Sequence, residues 1–169
     1  MKTQLKSMLL MIALSLMIFT GCKKPGLHPG AKKFTGIGYL DATDACNSAS
    51  QGAVYALTMT GDLEGCLYVF IDEFTCTDGN YVEKGRELFV GTYKGKSGSF
   101  RTDYDFQAKY EGCNPDGSYA GAELSGQCQH YIVEGSGTGD FAGVTGRIDF
   151  IDNVKNDPID YPYVGCLKF

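Results

Sequence analysis

The stretch EGSGTGDFAGVTGRIDF, residues 134–150, carries Gly135, Gly137, Gly139, Gly143 and Gly146. Within it, Gly137-Thr-Gly139-Asp-Phe-Ala142 satisfies the spacing of a dinucleotide-binding fingerprint. That chemistry needs a strand before the glycines and a helix after them, whose first amides receive the phosphates. The residues that follow, Val144 to Phe150, read as a strand, and Asp140 would set a negative charge beside the phosphate. Nucleotide binding is therefore rejected. The five glycines are expected to shape a turn and a bent strand, with Phe141, Ile148 and Phe150 supplying apolar packing.

Other reactive residue types are sparse. The sequence holds neither a G-x-S-x-G nucleophile elbow nor an H-E-x-x-H zinc motif. Its two histidines are His28 and His130. His130, in QCQHYIVE, reads first as a hydrogen-bonded or surface strand residue, because a general base must have a partner placed by geometry. Asp72 and Glu73 are adjacent, so on a regular strand they point to opposite faces. The segment DFIDNVKNDPID gathers Asp149, Asp152, Asn153, Asn156, Asp157 and Asp160. These are hard oxygen ligands suited to Ca²⁺, but the spacing matches no EF-hand and Asp/Asn clusters also build ordinary turns. No catalytic residue, metal or cofactor is assigned, and ligand-binding residues cannot be named from the sequence.

The cysteines carry more information. Cys46, Cys66, Cys76, Cys113, Cys128 and Cys166 form an even set, which in an exported domain suggests disulfides. No C-x-x-C pair is present, so zinc is disfavoured. The seventh, Cys22, closes the segment MKTQLKSMLLMIALSLMIFTGC, in which Lys2 and Lys6 precede the apolar run Leu9 to Phe19. Those eleven residues are too short for a bilayer core of about 30 Å at about 1.5 Å rise per residue. A removable leader is expected instead. Its ending, Thr20-Gly21-Cys22, resembles the lipobox of bacterial lipoproteins, with Phe19 where an aliphatic residue is usual. The resemblance implies cleavage before Cys22 and lipid on its sulfur.

Three segments follow: a leader over 1–21, a tether over 22–33 and one domain over 34–169. The tether contains KKPGLHPGAKK, rich in Pro, Gly and Lys, and includes His28. Loss of Lys2 and Lys6 with the leader takes the net charge from −5 to −7. That balance argues against nucleic acid or an anionic membrane surface as partner. Membrane attachment would come through Cys22.

From Phe34 onward, short runs of Tyr, Phe, Val and Thr alternate with turn signals such as Asp78-Gly79-Asn80, Lys94-Gly95 and Asn114-Pro115-Asp116-Gly117. Strands are expected over 34–41, 53–60, 64–74, 86–93, 98–109, 127–134, 143–151 and 161–168. Phe89, Gly91 and Tyr93 share one face of their strand, as do Ile148 and Phe150 of theirs. Glycines inside strands suggest sharp bends, so the expected fold is all-β, a single eight-stranded antiparallel up-and-down barrel, with a β-sandwich as the alternative. In such a meander the loops holding Cys46, Cys76 and Cys113 fall at one pole. The expected pairs are Cys46–Cys76, Cys113–Cys128 and, by elimination, Cys66–Cys166.

The arrangement of Gly137, Gly139, Phe141, Gly143, Gly146, Ile148 and Phe150 resembles a hairpin of the allene-oxide-cyclase and dirigent-type β-barrels. ELFVGTYKGKSGSFRTDYDF, residues 87–106, is similar to an earlier hairpin of the same family more loosely. The resemblance implies an eight-stranded barrel and no site, since the cyclase's functional residues do not map onto this sequence. Lipocalins and avidins use tryptophan at their signature positions, and this chain has none.

The reading is thus a cell-envelope lipoprotein, exposed to the periplasm or the cell surface. It is expected to serve as a binding or interaction module through its barrel mouth or surface loops, toward a small apolar ligand or an envelope protein. The alternatives are a barrel enzyme acting on an apolar small molecule and a structural envelope protein. An interior cavity of roughly several hundred Å³ containing a few converging polar groups would favour ligand binding or catalysis, and an interior filled by side chains would favour surface interaction.

Overall fold

The computed structural model describes residues 30–169. The leader, the lipobox with Cys22, and His28 lie outside the described residues. The strands are β1 (Lys32–Leu40), β2 (Tyr55–Gly61), β3 (Leu63–Thr77), β4 (Asn80–Tyr93), β5 (Lys96–Cys113), β6 (Tyr119–Ile132), β7 (Thr138–Gly139), β8 (Thr145–Ile151) and β9 (Asp160–Lys168). Ser48–Gln51 forms a 3-10 turn between β1 and β2.

Every pairing is antiparallel, and the ring β1-β2-β3-β4-β5-β6-β8-β9 closes on itself through β4–β5 and β9–β1. The protein is an eight-stranded barrel with β7 lying outside it, against Gly98 and Ser99 of β5. Closure removes the free edges that a sandwich would keep. The Asp78-Gly79 and Lys94-Gly95 turns hold both central residues at positive φ (51° and 74°, 49° and 80°). That conformation lets a two-residue loop follow the twist of the flanking strands.

The strands differ in reach. β2 stops pairing with β3 at Tyr55↔Val69, and β8 stops pairing with β6 at Gln127↔Ile151. Residues 70–77 of β3, the first half of β4, the end of β5 and residues 119–126 of β6 therefore overhang one pole as a wall. The sequence suggested β4 from Arg86 and β6 from Gln127; they start at Asn80 and Tyr119. Charged residues in 80–85 and small ones in 119–126 mask strands whose regularity comes from long hairpin pairing, with bulges near Tyr110.

The opposite pole is plugged. The connection from β6 to β8, which contains the glycine-rich stretch, folds across the barrel end and delivers Phe141 and Val144, both fully buried. Phe141 packs edge-on against Phe89 and Phe100, at ring distances of 5.9 and 5.4 Å. Phe34, Leu63, Leu67, Ile148 and Leu167 complete this apolar half. Gly146, at φ 143°, lies so close to the Cys166 carbonyl that a Cβ would overlap it, so β8 can start its climb from the plug only with glycine there.

The expected disulfide pairing is corrected. The bonds joining two described residues are Cys46–Cys66 and Cys76–Cys113, with Cα–Cα distances of 5.8 and 5.5 Å, and Cys128 is a buried free thiol. Cys46 does not stay at the pole. Asp41 accepts hydrogen bonds from the amides of Ala45 and Cys46, at 3.0 and 2.7 Å, and the β1–β2 loop folds down the outer wall. There it covers Ala56 and Tyr68 beside Cys66, and the Tyr68 hydroxyl donates to the Cys46 carbonyl at 2.9 Å. Cys76 is then left for Cys113 at the tip of the overhang. Cys128 faces inward opposite Phe106, out of reach of Cys113, which stands opposite Tyr119. Cys66 on β3 and Cys166 on β9 are separated by β1 and β2, and Cys66 is taken by Cys46.

Candidate functional site

In the half of the interior away from the plug, the polar residues sit on three neighbouring strands. Alternation along β4 puts Tyr81, Glu83, Gly85 and Glu87 in one inner row, each buried. The register sets Glu83 opposite Phe106, Gly85 opposite Tyr104 and Glu87 opposite Thr102 on β5. β6 adds Cys128 opposite Phe106 and His130 opposite Tyr104. Gly85 makes room: a Cβ there would meet the Phe70 carbonyl and the Tyr104 ring.

Two carboxylates organise the cluster. Glu83 is 6% exposed; it accepts from the Tyr81 hydroxyl at 2.6 Å and from the Tyr104 hydroxyl at 2.7 Å, one on each oxygen. Glu87 is 3% exposed; its Oε2 accepts from the Thr102 hydroxyl at 2.6 Å and lies 2.5 Å from His130 Nδ1. The Tyr104 ring stacks on the imidazole at 5.6 Å and Phe150 approaches it at 4.6 Å. With Nδ1 committed to Glu87, Nε2 is buried without a hydrogen-bond partner. A carboxylate on one ring nitrogen fixes the tautomer and orientation of the other, so Nε2 presents a lone pair to whatever approaches it.

The surrounding acids are held protonated. Burial first, and then the hydrogen bond to Glu83, push the Tyr81 and Tyr104 phenols well above the usual range. Burial and the Glu83 and Glu87 charges do the same to Tyr55. Burial, followed by Glu87, also pushes up the Cys128 thiol. A thiol so shielded is a poor nucleophile, so the chemistry of the cluster centres on the Glu87–His130 dyad. The arrangement can receive N–H or O–H groups and can hold a proton at Nε2.

Toward the overhang the inner face becomes aromatic. Tyr81, Tyr110 and Tyr119 pack together, Tyr110 and Tyr119 stacked at 4.1 Å and Tyr119 edge-on to Tyr81 at 5.4 Å. Phe74 stacks on Tyr81, and Phe74 and Tyr119 are each 48% exposed. Two more acids sit here. Tyr110 donates to Glu123 at 3.3 Å, and Asp152 faces Glu123. Burial and then the Glu123 charge push the Asp152 carboxyl up to about 8. Burial, Asp152 and Glu123 push the nearby Tyr161 phenol up to about 12.

Other residues singled out in the sequence are used differently. Asp72 and Glu73 do converge, because a bulge between Ile71 and Glu73 interrupts the alternation. Asp72 takes a two-pronged hydrogen bond from Arg86, and Glu73 pairs with Lys84 at 3.9 Å, on the outer wall. The acidic segment after β8 disperses: Asp149 pairs with Arg147 at 2.6 Å, Asn156 donates to Asp160 at 2.8 Å, and Asp152 turns to Glu123. Among the described residues no three or more His, Cys, Asp or Glu side chains are grouped to hold a metal ion. Of the residues singled out in the sequence, the site contains His130, Cys128 and Phe150, with Asp152 at its mouth. Glu83, Glu87, Tyr104 and Glu123 were not anticipated. The available signal was the period of two in Tyr81-x-Glu83-x-Gly85-x-Glu87, once that run is read as strand.

A family model described as a protein of unknown function (DUF3224) matches residues 41–163. That span includes all the residues of the cluster. No curated protein matches the chain.

Proposed function

Since the chain belongs to the DUF3224 family, whose description assigns no activity, we propose its function from the interior itself: a small-molecule binding module of the cell envelope, held on the membrane by lipid at Cys22. The observation that carries the binding half is the division of the interior. One half holds the aromatic plug, and the other, continuous with the same apolar core, holds His130 with Nε2 unpartnered, against Glu87, Glu83 and a tyrosine-lined overhang. Buried polar atoms are ordinarily satisfied, and an orphan in an oriented dyad is a place for a ligand to complete. The Cys46–Cys66 and Cys76–Cys113 disulfides support an oxidising compartment, as the envelope is.

Native mass spectrometry of the protein purified from its membrane tests binding. A small-molecule adduct is expected on the unaltered chain and its loss on Glu87→Gln; an adduct equally retained on the variant would refute the site. For the anchor, Cys22→Ala is expected to release the protein from the membrane fraction. A variant that stays membrane-bound, or a Cys22 recovered in a disulfide, would remove the lipid, because a thioether uses the same sulfur.

The second reading is an enzyme acting on an apolar small molecule, in keeping with the resemblance to cyclase-type barrels. The Glu87–His130 dyad favours it, since an imidazole oriented by a carboxylate is the ordinary general base. Chemical change in the eluted ligand, abolished by His130→Gln with binding retained, would move the assignment from binder to catalyst. The outer wall is weaker ground for an interaction site: in its groove of about 380 Å³, lined also by Asp103, the Lys84 and Arg86 cations are already taken by Glu73, Asp105 and Asp72.

A further inference from the structure

We infer that the ligand is an organic cation, a protonated amine whose N–H groups are received by His130 Nε2 and the Glu83 and Glu87 carboxylates while its apolar body lies against the tyrosines of the overhang. This rests on the ligand-binding reading above and names its chemical class.

The first argument is the direction of the hydrogen bonds. The Tyr81, Tyr104 and Thr102 hydroxyls each spend their single proton on a carboxylate, and with Nδ1–H directed at Glu87, so does His130. What His130, Glu83 and Glu87 themselves have left is acceptor capacity: the Nε2 lone pair, and the unused lone pairs of four carboxylate oxygens. A ligand bearing a carboxylate, phosphate or carbonyl would bring a further acceptor to the face formed by His130, Glu83 and Glu87, whose hydroxyl partners have already spent their protons. A ligand bearing several N–H groups fits what is missing.

Charge argues the same way. Glu83 is buried with only neutral hydroxyls bonded to it, and Glu87 is buried with Thr102 and the His130 ring as its partners. Arg86, Lys84 and Arg147 pair with Asp and Glu side chains on the outer wall and leave the interior acids uncompensated by them. An alkylammonium group would supply the opposite charge where water is excluded and the attraction is strongest. The aromatic wall is the third argument. Tyr81, Tyr110 and Tyr119 present ring faces and edges within 6 Å of one another, the kind of surface that receives a cation and its hydrocarbon skirt. A mature chain of net charge −7 would draw such a ligand in.

The test titrates benzylamine, benzyl alcohol and benzoate, which share a ring and differ in the head group, into the detergent-solubilised full chain at neutral pH. The readout is the ¹⁵N resonance of His130 Nε2, with His28 as the second imidazole signal. Benzylamine is expected to shift Nε2 saturably, with the alcohol and the acid at least tenfold weaker. Glu83→Gln keeps an acceptor for Tyr81 or Tyr104 and removes the charge; it is expected to weaken benzylamine at least tenfold without altering the His130 signal of the free protein. Saturable binding of the alcohol or benzoate at equal or greater strength would overturn the cation class and leave the binding reading standing. Equal benzylamine affinity in Glu83→Gln would overturn the placement beside Glu83. No response of Nε2 to any of the three would overturn both.

Discussion

At the mouth, Asp152 shows how one side chain ties the site to pH. Its carboxyl faces Glu123, with Tyr110, Tyr119 and Tyr161 around the pair, and it is raised from an ordinary 3.8 to about 8. The causes are burial first and Glu123 second, both disfavouring the charged form. Between those two values the folded protein keeps the proton and the unfolded chain releases it. Stability is therefore greatest below about pH 4 as far as this group is concerned, and falls as pH rises toward 8, by about 1.4 kcal/mol per pH unit at most. Asp152→Asn removes the titration, so its urea midpoint is expected to vary less between pH 5 and pH 8 and to exceed that of the unaltered protein at pH 8. Equal slopes for the two proteins would show that the proton is not held there. The paired acids at Glu83 and Glu87 differ in kind, because each is surrounded by donors and not by another carboxyl.

At the scale of elements, the glycine-rich connection is a plug as well as a turn. Phe141 lies at its centre with no exposure, touching Phe89, Phe100 and Phe169. Phe141→Ala is expected to cost about 3–5 kcal/mol in urea unfolding, the range for emptying a well-packed aromatic site. A loss below about 1 kcal/mol would mean that the connection is not a structural plug. Phe141 and its neighbours Ile148 and Phe150 were legible in the sequence, and so were the alternations Phe89-Gly91-Tyr93 and Ile148-Phe150, because a strand's two faces are written directly in a period of two. The site was not legible to the same degree. His130 and Glu87 are 43 residues apart, and what joins them is the register Glu87↔Thr102 and Tyr104↔His130 across three strands. The disulfides escaped for a related reason: a meander places Cys46 at the right pole, but the Asp41-capped loop that carries it down the wall to Cys66 is tertiary packing.

Over the whole molecule, the barrel is two structures joined at their strands: a closed ring sealed at one end, and an overhang of β3 to β6 that lacks ring neighbours on both flanks. The ring draws its stability from the aromatic plug and from pairing on both sides of every strand. The overhang has pairing on fewer sides and a thinner apolar layer, and it contains the mouth of the site. Cys76–Cys113 crosses its tip, where Cys113 Sγ also accepts from the Gly79 amide at 3.1 Å. A bond closing a loop of that length contributes about 3–4 kcal/mol through the unfolded chain, but its local effect is to tie β3 to the far end of β5. Replacing both cysteines, Cys76→Ala with Cys113→Ala, is therefore expected to raise hydrogen exchange most in residues 70–84 and 106–126. Amides of β1, β8 and β9 should change only as far as global stability falls, since local openings and global unfolding are separable in exchange. If protection fell equally in ring and overhang, the two would be one cooperative unit, and the mouth could not open without unfolding the barrel. If the overhang alone loosened, the polar half of the interior would have a route to solvent that leaves the plug undisturbed, and ligand entry at Tyr119 and Phe74 should accelerate in the same variant.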